Sequence, residues 1–197
     1  MDYLVAPGAD VDSRAVVGEG SKIWHLAQVR EEAVLGRGCI IGRGAYIGTG
    51  VKLGDNCKVQ NYALVYEPAV IADGVFIGPA AVLTNDTYPR AVSPDGSLKG
   101  GDDWEHVGVT IEVGAAIGAR AVCVAPVTIG AWATVGSGAV VVKDVPAFAL
   151  VVGVPARRIG WVGKAGHPLV PDGDQDWVCP ATGARYKQVG ETLQEVE

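Results

Sequence analysis

Side chains able to do chemistry are unevenly spread along this chain. One stretch, "LTNDTYPRAVSPDGSLKGGDDWEHV" (83–107), carries Asn85, Asp86, Tyr88, Arg90 and His106, whereas Val, Ala, Ile, Leu and Gly dominate elsewhere. An Asn amide both donates and accepts hydrogen bonds, an Arg fork grips a phosphate or carboxylate at two points, and His titrates near neutrality. Glu67, beside Tyr66, lies upstream of Asn85; its carboxylate can accept a hydrogen bond or a proton. Lys58, Gln60 and Asn61 form a second polar run, and His25 sits in "IWHL". Lys143, Arg157 and Arg158 bring positive charge to a chain whose formal net charge is −6. Each has a plainer reading: Asn85 as a turn former, Glu67 as a solvated corner carboxylate, Arg90 as a loop surface charge.

The element that must position these residues follows a beat of six. Every sixth residue from Val5 is aliphatic: Val5, Val11, Val17, Ile23, Val29, Leu35, Ile41, Ile47, Leu53, Val59, Val65, Ile71, Ile77 and Leu83. The residue four places after each of the first thirteen is small, as at Ala27, Cys39, Ala45, Cys57 and Ala63. A helix would repeat near 3.6 and a half-buried strand at 2, so a period of six is neither alone. It describes a solenoid: short strands on flat faces, three faces to a coil, aliphatic residues inside, small residues and Gly at the corners. Stacked coils make parallel ladders. Glu67 and Asn85 are three beats apart, which is one whole coil. They therefore take equivalent positions of adjacent coils, about 4.8 Å apart, with Asn61 on the preceding face. His25 precedes Glu67 by more than two coils.

The beat resumes at Ile111, Ile117, Cys123, Ile129, Val135 and Val141. The step from Leu83 to Ile111 is not a whole number of beats but overshoots one by four positions. Residues 84–108 must therefore leave the coil and re-enter it. Pro146 and Pro155 end the regular coils, which predicts a short helix near Pro155–Ile159. The tail from Gly166 has a turn at "ATG" and predicts a hairpin extension that covers one solenoid end. The resulting divisions are 1–146, 147–165 and 166–197.

Bulk properties narrow the function. The 197 residues suffice for one sizeable domain, and 49% are hydrophobic with only 2 Phe and 1 Met. The negative net charge argues against a general nucleic-acid or anionic-membrane surface. No apolar run approaches a membrane span and no signal peptide is legible, so the expected location is cytoplasmic. Cys39, Cys57, Cys123 and Cys179 form no Cys-x-x-Cys pair and are expected as free, mostly buried thiols, with no metal required.

The six-residue repeat resembles the hexapeptide-repeat acyltransferases. "KIWHLAQV", "GDNCKVQNYALVYE", "GVFIGPAAVLTND-YPR" and "VPAFALVVGVPARRIGWV" resemble one branch, the N-acetyltransferases of nucleotide-linked 3-amino sugars, over roughly residues 5–165. The resemblance implies an all-β, left-handed parallel β-helix with one extruded loop and a small C-terminal extension. The hand rests on the resemblance alone, since general crossover rules favour the other. It further implies a homotrimer with active sites between subunits, acetyl-CoA lying along a β-helix, and direct attack of the sugar amine on the thioester in surface-polysaccharide synthesis. Asn85 then contacts the reacting sugar, and the stacking of Glu67 one coil below makes its carboxylate the expected acceptor for the amine. Lys58, Gln60, Asn61, Tyr66, Arg90 and His25 contact the acceptor or a neighbouring subunit. Lys143, Arg157 and Arg158 meet the anionic end of CoA, and Ala125 lies beside pantetheine. Asp86 departs from the apolar residue expected beside that Asn.

Three rivals stand beside this reading. An acyltransferase for another small amine or hydroxyl shares every feature but the acceptor. A γ-type carbonic anhydrase needs three clustered metal-binding His, while His25, His106 and His167 lie in a coil, a loop and the tail. A non-catalytic scaffold needs neither the polar loop nor the Arg-rich end.

Overall fold

A computed structural model describes residues 2–196, and within them the six-residue beat is a parallel β-helix with no α-helix. Strands of mostly two residues recur at each beat, and each pairs in parallel with the strand one coil on, as in Lys58↔Phe76 and Val59↔Ile77. Among the described residues, three sheets form the three faces. Face 1 has nine strands, including Leu4–Val5, Lys22–Ile23 and Lys58–Val59; face 2 has seven, including Leu64–Val65 and Val82–Leu83; face 3 has six, including Val70–Ile71 and Val109–Ile111. Strands this short suffice because every other residue of a face points inward onto a continuous column. The aliphatic beat residues from Ile23 to Val141 are all nearly inaccessible, and the small residues Ala27, Ala45, Ala63, Ala81, Ala121 and Ala139 fill the corners beside them.

The cysteines follow the same logic. Cys39 and Cys57 occupy the small-residue column, Cys123 an aliphatic one, and all four thiols are free and buried. Ser21, the buried polar residue among those described, starts a small ladder: its hydroxyl donates to the Gly36 carbonyl at 3.0 Å and accepts from the Cys39 amide at 3.0 Å. The Cys39 and Cys57 sulfurs then point at the carbonyls of Gly54 and Ala72, at 3.2 and 3.1 Å. Each polar tip in this crowded corner finds a backbone acceptor.

The break in the beat is resolved at one corner. Ile71 pairs with Leu53 on one side, a regular coil away, and with Ile111 on the other, across the whole extruded loop. The loop is thus inserted between the end of a face 2 strand and the start of the next face 3 strand, with the core continuous beneath it.

Two expectations at the C-terminal end are corrected. The segment near Pro155 is not a helix: Arg157–Trp161 runs antiparallel to Ala149–Val152 as a hairpin that extends face 1. Pro155 sits in its turn, and the alternating "ALVV" strand has a free edge to pair. The tail is more than one hairpin. It is a four-stranded antiparallel meander, Val170–Pro171, Asp176–Val178, Arg185–Val189 and Thr192–Val196. Tyr186, Leu193, Leu169 and Cys179 join the core cluster from it, and Tyr186 meets Phe148 edge-on with ring centroids 5.4 Å apart. This end of the solenoid is covered, whereas Leu4 and Val5 at the other end stand 47% and 42% exposed. Among the described residues, no helix is long and apolar enough to cross a membrane.

Candidate active site

The corner between faces 2 and 3 gathers Glu67, Asn85 and Lys143. The register Val65↔Leu83, Leu83↔Cys123 and Cys123↔Val141 puts Glu67, Asn85, Ala125 and Lys143 at the same corner position of four successive coils. Neighbours in such a column are about 4.8 Å apart along the axis.

The loop is fastened at this corner. Thr84 Oγ1 accepts from the Ala125 amide at 3.0 Å, and Thr87 donates to the Ala125 carbonyl at 3.3 Å. Ala125 itself is buried, so its backbone anchors the loop to the next coil. The Val107 amide donates to the Asn85 carbonyl at 3.3 Å and closes the neck. The returning limb lies over the Glu67–Pro68 corner so closely that a Cβ on Gly108 would stand 2.9 Å from the Pro68 carbonyl oxygen. Asn85 is half-buried, and its side-chain amide makes no hydrogen bond among the described residues.

Glu67 is unusual for its position. At the other two corners a short Asn or Asp reaches back to cap an amide of the preceding coil: Asn61 to Arg43 at 2.9 Å, Asp55 to Arg37 at 2.7 Å and Asp73 to Asp55 at 2.7 Å. Glu67 has one more methylene. Its Oε2 presses against Gly48, where a Cβ would collide with it, and that buried oxygen has no hydrogen-bond partner. A buried polar atom left in this state costs on the order of 1–3 kcal/mol. Tyr46 and Tyr66 flank it with ring centroids 5.2 Å apart. Burial, and then the Glu67 charge, push the Tyr46 hydroxyl above its usual pKa. Two coils earlier in the same column, Glu31 is gripped by the Arg30 fork at 2.8 and 2.9 Å, which lowers its pKa to about 2.

Two clefts meet at Asp144 on this side of the coil. A cleft of about 260 Å³ is lined by Lys143, Asp144, Pro146, Ala156, Arg157 and Arg158, among others. A second, of about 320 Å³, is lined by Gly108, Thr110, Pro126, Val127, Thr128 and Asp144. They share Asp144, whose Oδ1 accepts from the Thr128 amide at 2.7 Å. The Arg158 guanidinium lies 4.2 Å over the Trp161 ring and donates to the Glu191 carbonyl at 3.0 Å, so the tail sheet helps hold it. Trp161 in turn donates to Gln188 at 3.0 Å.

Other expected residues lie elsewhere. His25 and Asn61 share the face 1–face 2 corner with Arg43, all three exposed, and Gln60 precedes it; Lys58 points outward from face 1. Within the chain these do not meet Glu67 and Asn85. Arg90 is exposed in the loop and donates to the Pro89 carbonyl. His106 bonds the Gly101 carbonyl and stacks on Trp104 at 3.9 Å. Among the described residues, no three His, Cys, Asp or Glu side chains gather as metal ligands would. Thr84, Thr87, Gly108 and Asp144 were not singled out from sequence. Thr84 and Thr87 flank Asn85, but their partner Ala125 is 41 and 38 residues away and becomes visible only once the loop length is assigned to one corner.

Known proteins share this architecture. A model of the bacterial transferase hexapeptide, six repeats, matches residues 14–49 and 50–85, and one of the hexapeptide repeat of succinyl-transferase matches 108–143. The matches stop and resume at the two roots of the loop. A dTDP-3-amino-3,6-dideoxy-alpha-D-galactopyranose 3-N-acetyltransferase from Aneurinibacillus thermoaerophilus is 45% identical over 84 residues, 42% of this chain and 43% of that one. A serine acetyltransferase from Mycobacterium tuberculosis is 40% identical over 111 residues, 55% of this chain and 44% of that one. The chain thus spans less than half the length of these two relatives. The LpxA UDP-N-acetylglucosamine acyltransferase from Bacteroides fragilis shares the fold, with a TM-score of 0.64 at 18% identity over 81% of this chain and 61% of that one.

Proposed function

Because this chain belongs to the hexapeptide-repeat transferase family, we propose that it is an acetyl-CoA-dependent N-acetyltransferase acting on the 3-amino group of a nucleotide-linked sugar. The observation that carries the reading is the pair of clefts that meet at Asp144, one lined by Lys143, Arg157 and Arg158 and the other by Gly108 at the loop root. In a chain of net charge −6, a cluster of three cations in one of two adjoining clefts suits a ligand with an anionic head and a long thin arm. CoA has that shape. Lys143, Arg157 and Arg158 would meet its phosphates, and Pro126, Val127 and Thr128 would floor the arm. The thioester then comes to the Asn85 corner.

The reaction needs few groups. The amine nitrogen bonds to the thioester carbonyl carbon, the C–S bond breaks, and the proton lost by nitrogen leaves with the thiol or to solvent. Aligning the two reactants supplies much of the rate. The Asn85 amide can donate to the negative charge that develops on the carbonyl oxygen. Glu67 can accept a hydrogen bond from the amine and keep its lone pair aimed. A hydroxyl acceptor, suggested by the similarity to the serine acetyltransferase, needs a stronger base. Among the described residues no His of the same chain stands at this corner, since His25 lies on another and His106 is stacked in the loop, so a base for a hydroxyl would have to come from a neighbouring subunit. The full reading is a cytoplasmic homotrimer in surface-polysaccharide synthesis, in which His25, Lys58, Gln60 and Asn61 of one subunit face the Asn85 corner of the next.

Incubation with acetyl-CoA and a panel of UDP- and dTDP-linked 3-amino sugars, followed by a free-thiol assay, tests the proposal. Release of CoA is expected with one of them. No release with any amine would sink it.

A further inference from the structure

The extruded loop folds around a cleft to which the acetyl-transfer chemistry assigns nothing. The cleft is about 150 Å³ and is lined by Asp86, Thr87, Tyr88, Lys99, Trp104 and Glu105. It begins one residue past Asn85, at a neck pinned by the Thr84 and Thr87 bonds to Ala125. Its walls are built rather than loose. Asp86 Oδ1 accepts from the Tyr88 amide at 2.7 Å, and the Gly100 amide donates to Asp103 at 2.7 Å. His106, tied to the Gly101 carbonyl, stacks on Trp104 with planes 25° apart and steadies the indole. Tyr88 is 82% exposed, so its ring gains nothing from the core.

Two aromatic rings and one Lys around a small cleft match a particular chemistry. Flat heterocycles stack on such rings whatever their sequence identity, and an ammonium is a point charge for phosphate. The Asp86 and Glu105 carboxylates suit ribose hydroxyls and a ring N–H, and they disfavour a cluster of phosphates. We infer that this cleft takes the nucleoside end of the acceptor, the base against Trp104 and Tyr88, with the diphosphate leaving the cleft past Lys99. The sugar amine is then left at Asn85. The inference rests on the nucleotide-sugar reading above and gives that acceptor a second anchor, distinct from the coil. It also assigns His106 a positioning role through Trp104.

Calorimetric titration of the full chain with UDP, with dTDP and separately with acetyl-CoA tests this. Trp104→Ala should weaken diphosphate binding roughly tenfold or more, and Trp104→Phe should restore most of it. Lys99→Ala should weaken UDP more than uridine. Acetyl-CoA affinity should be unchanged in all three. If wild type binds UDP or dTDP and Trp104→Ala binds it equally well, the cleft is overturned while acetyl transfer to a nucleotide sugar stands. If wild type binds neither diphosphate yet releases CoA with a free amino sugar, the cleft and the nucleotide-linked acceptor are overturned together.

Discussion

Asn61 and Asn85 both stand at corners, on adjacent coils, yet only one is used by the fold. Asn61 accepts from the Arg43 amide of the preceding coil at 2.9 Å, and a Cβ on Gly42 would come within 2.7 Å of its Oδ1. Asp55 and Asp73 do the same at the third corner. A polar residue at a corner is therefore, by default, a rung that satisfies a backbone amide. Asn85 gives only its carbonyl, to the loop neck, and the Glu67 Oε2 makes no such bond. Exposure does not separate these residues, since none is buried. Hydrogen-bond employment does. Corner residues that the fold does not employ are the ones free to meet a substrate.

The strongest way to break this contrast is Asn85→Ala. Loss of a donor to the developing oxyanion should lower kcat by roughly 100- to 1,000-fold, with the melting temperature within experimental error of wild type. A large stability loss with modest kinetic change would make Asn85 another rung.

Glu67→Gln should come next, with kcat reduced about 100-fold. The amide has the same shape but can no longer accept at both oxygens. Because the buried Oε2 has no partner, the substitution breaks no hydrogen bond there, and this variant should melt no lower than wild type. An unchanged rate removes Glu67 from the chemistry. Arg158→Ala acts in the basic cleft and should raise KM for acetyl-CoA about tenfold, the size of one charged hydrogen bond, with kcat retained. Dephospho-CoA as the donor shows whether a phosphate is what Arg158 reads: the variant should lose less with it.

Much of this could be read before the structure. The beat of six specified the strands, the inward columns and the cysteine positions, because a solenoid repeats one local solution and each residue's place follows from its phase. The shared corner of Glu67 and Asn85 came from the same arithmetic. What was not legible depends on chain returning from a distance. The anchoring of Thr84 and Thr87 on Ala125 requires knowing that the entire insertion leaves at one corner. The pairing of the clefts needs Asp144 to lie between walls that come from separate coils and a hairpin. The helix expected at Pro155 failed because a Pro that can open a helix can equally turn a hairpin, and the free edge of Ala149–Val152 decided between them.

Asn61→Ala is the converse of the first experiment and a smaller effect. It removes a rung at an exposed corner, so water can replace part of what is lost. Stability should fall by about 0.5–1 kcal/mol, measured by denaturant unfolding, with kcat kept. A fall in kcat like that of Asn85→Ala would erase the distinction between the two corners. A change confined to the KM of the acceptor would show that the amide nitrogen of Asn61, which the rung leaves free, touches the sugar across a subunit boundary.

The smallest effect tests employment within a single column, where Glu31 is paired and Glu67 is not. The Arg30 fork lowers Glu31 from an ordinary value of 4.5 to about 2. A carboxylate depressed in the folded state binds its proton more readily when unfolded. Its stabilisation is therefore fully present above pH 4.5 and is lost as pH falls toward 2. Both partners are partly open to water, with 40% and 22% of their side chains exposed, and screening keeps the contribution small. Melting curves of wild type and Glu31→Gln should be separated at pH 6 and should converge as the pH drops below 4.5. A gap that stays constant across that range would mean that Glu31 is held by packing rather than by its charge, and the column would then contain no ion pair for Glu67 to be contrasted with.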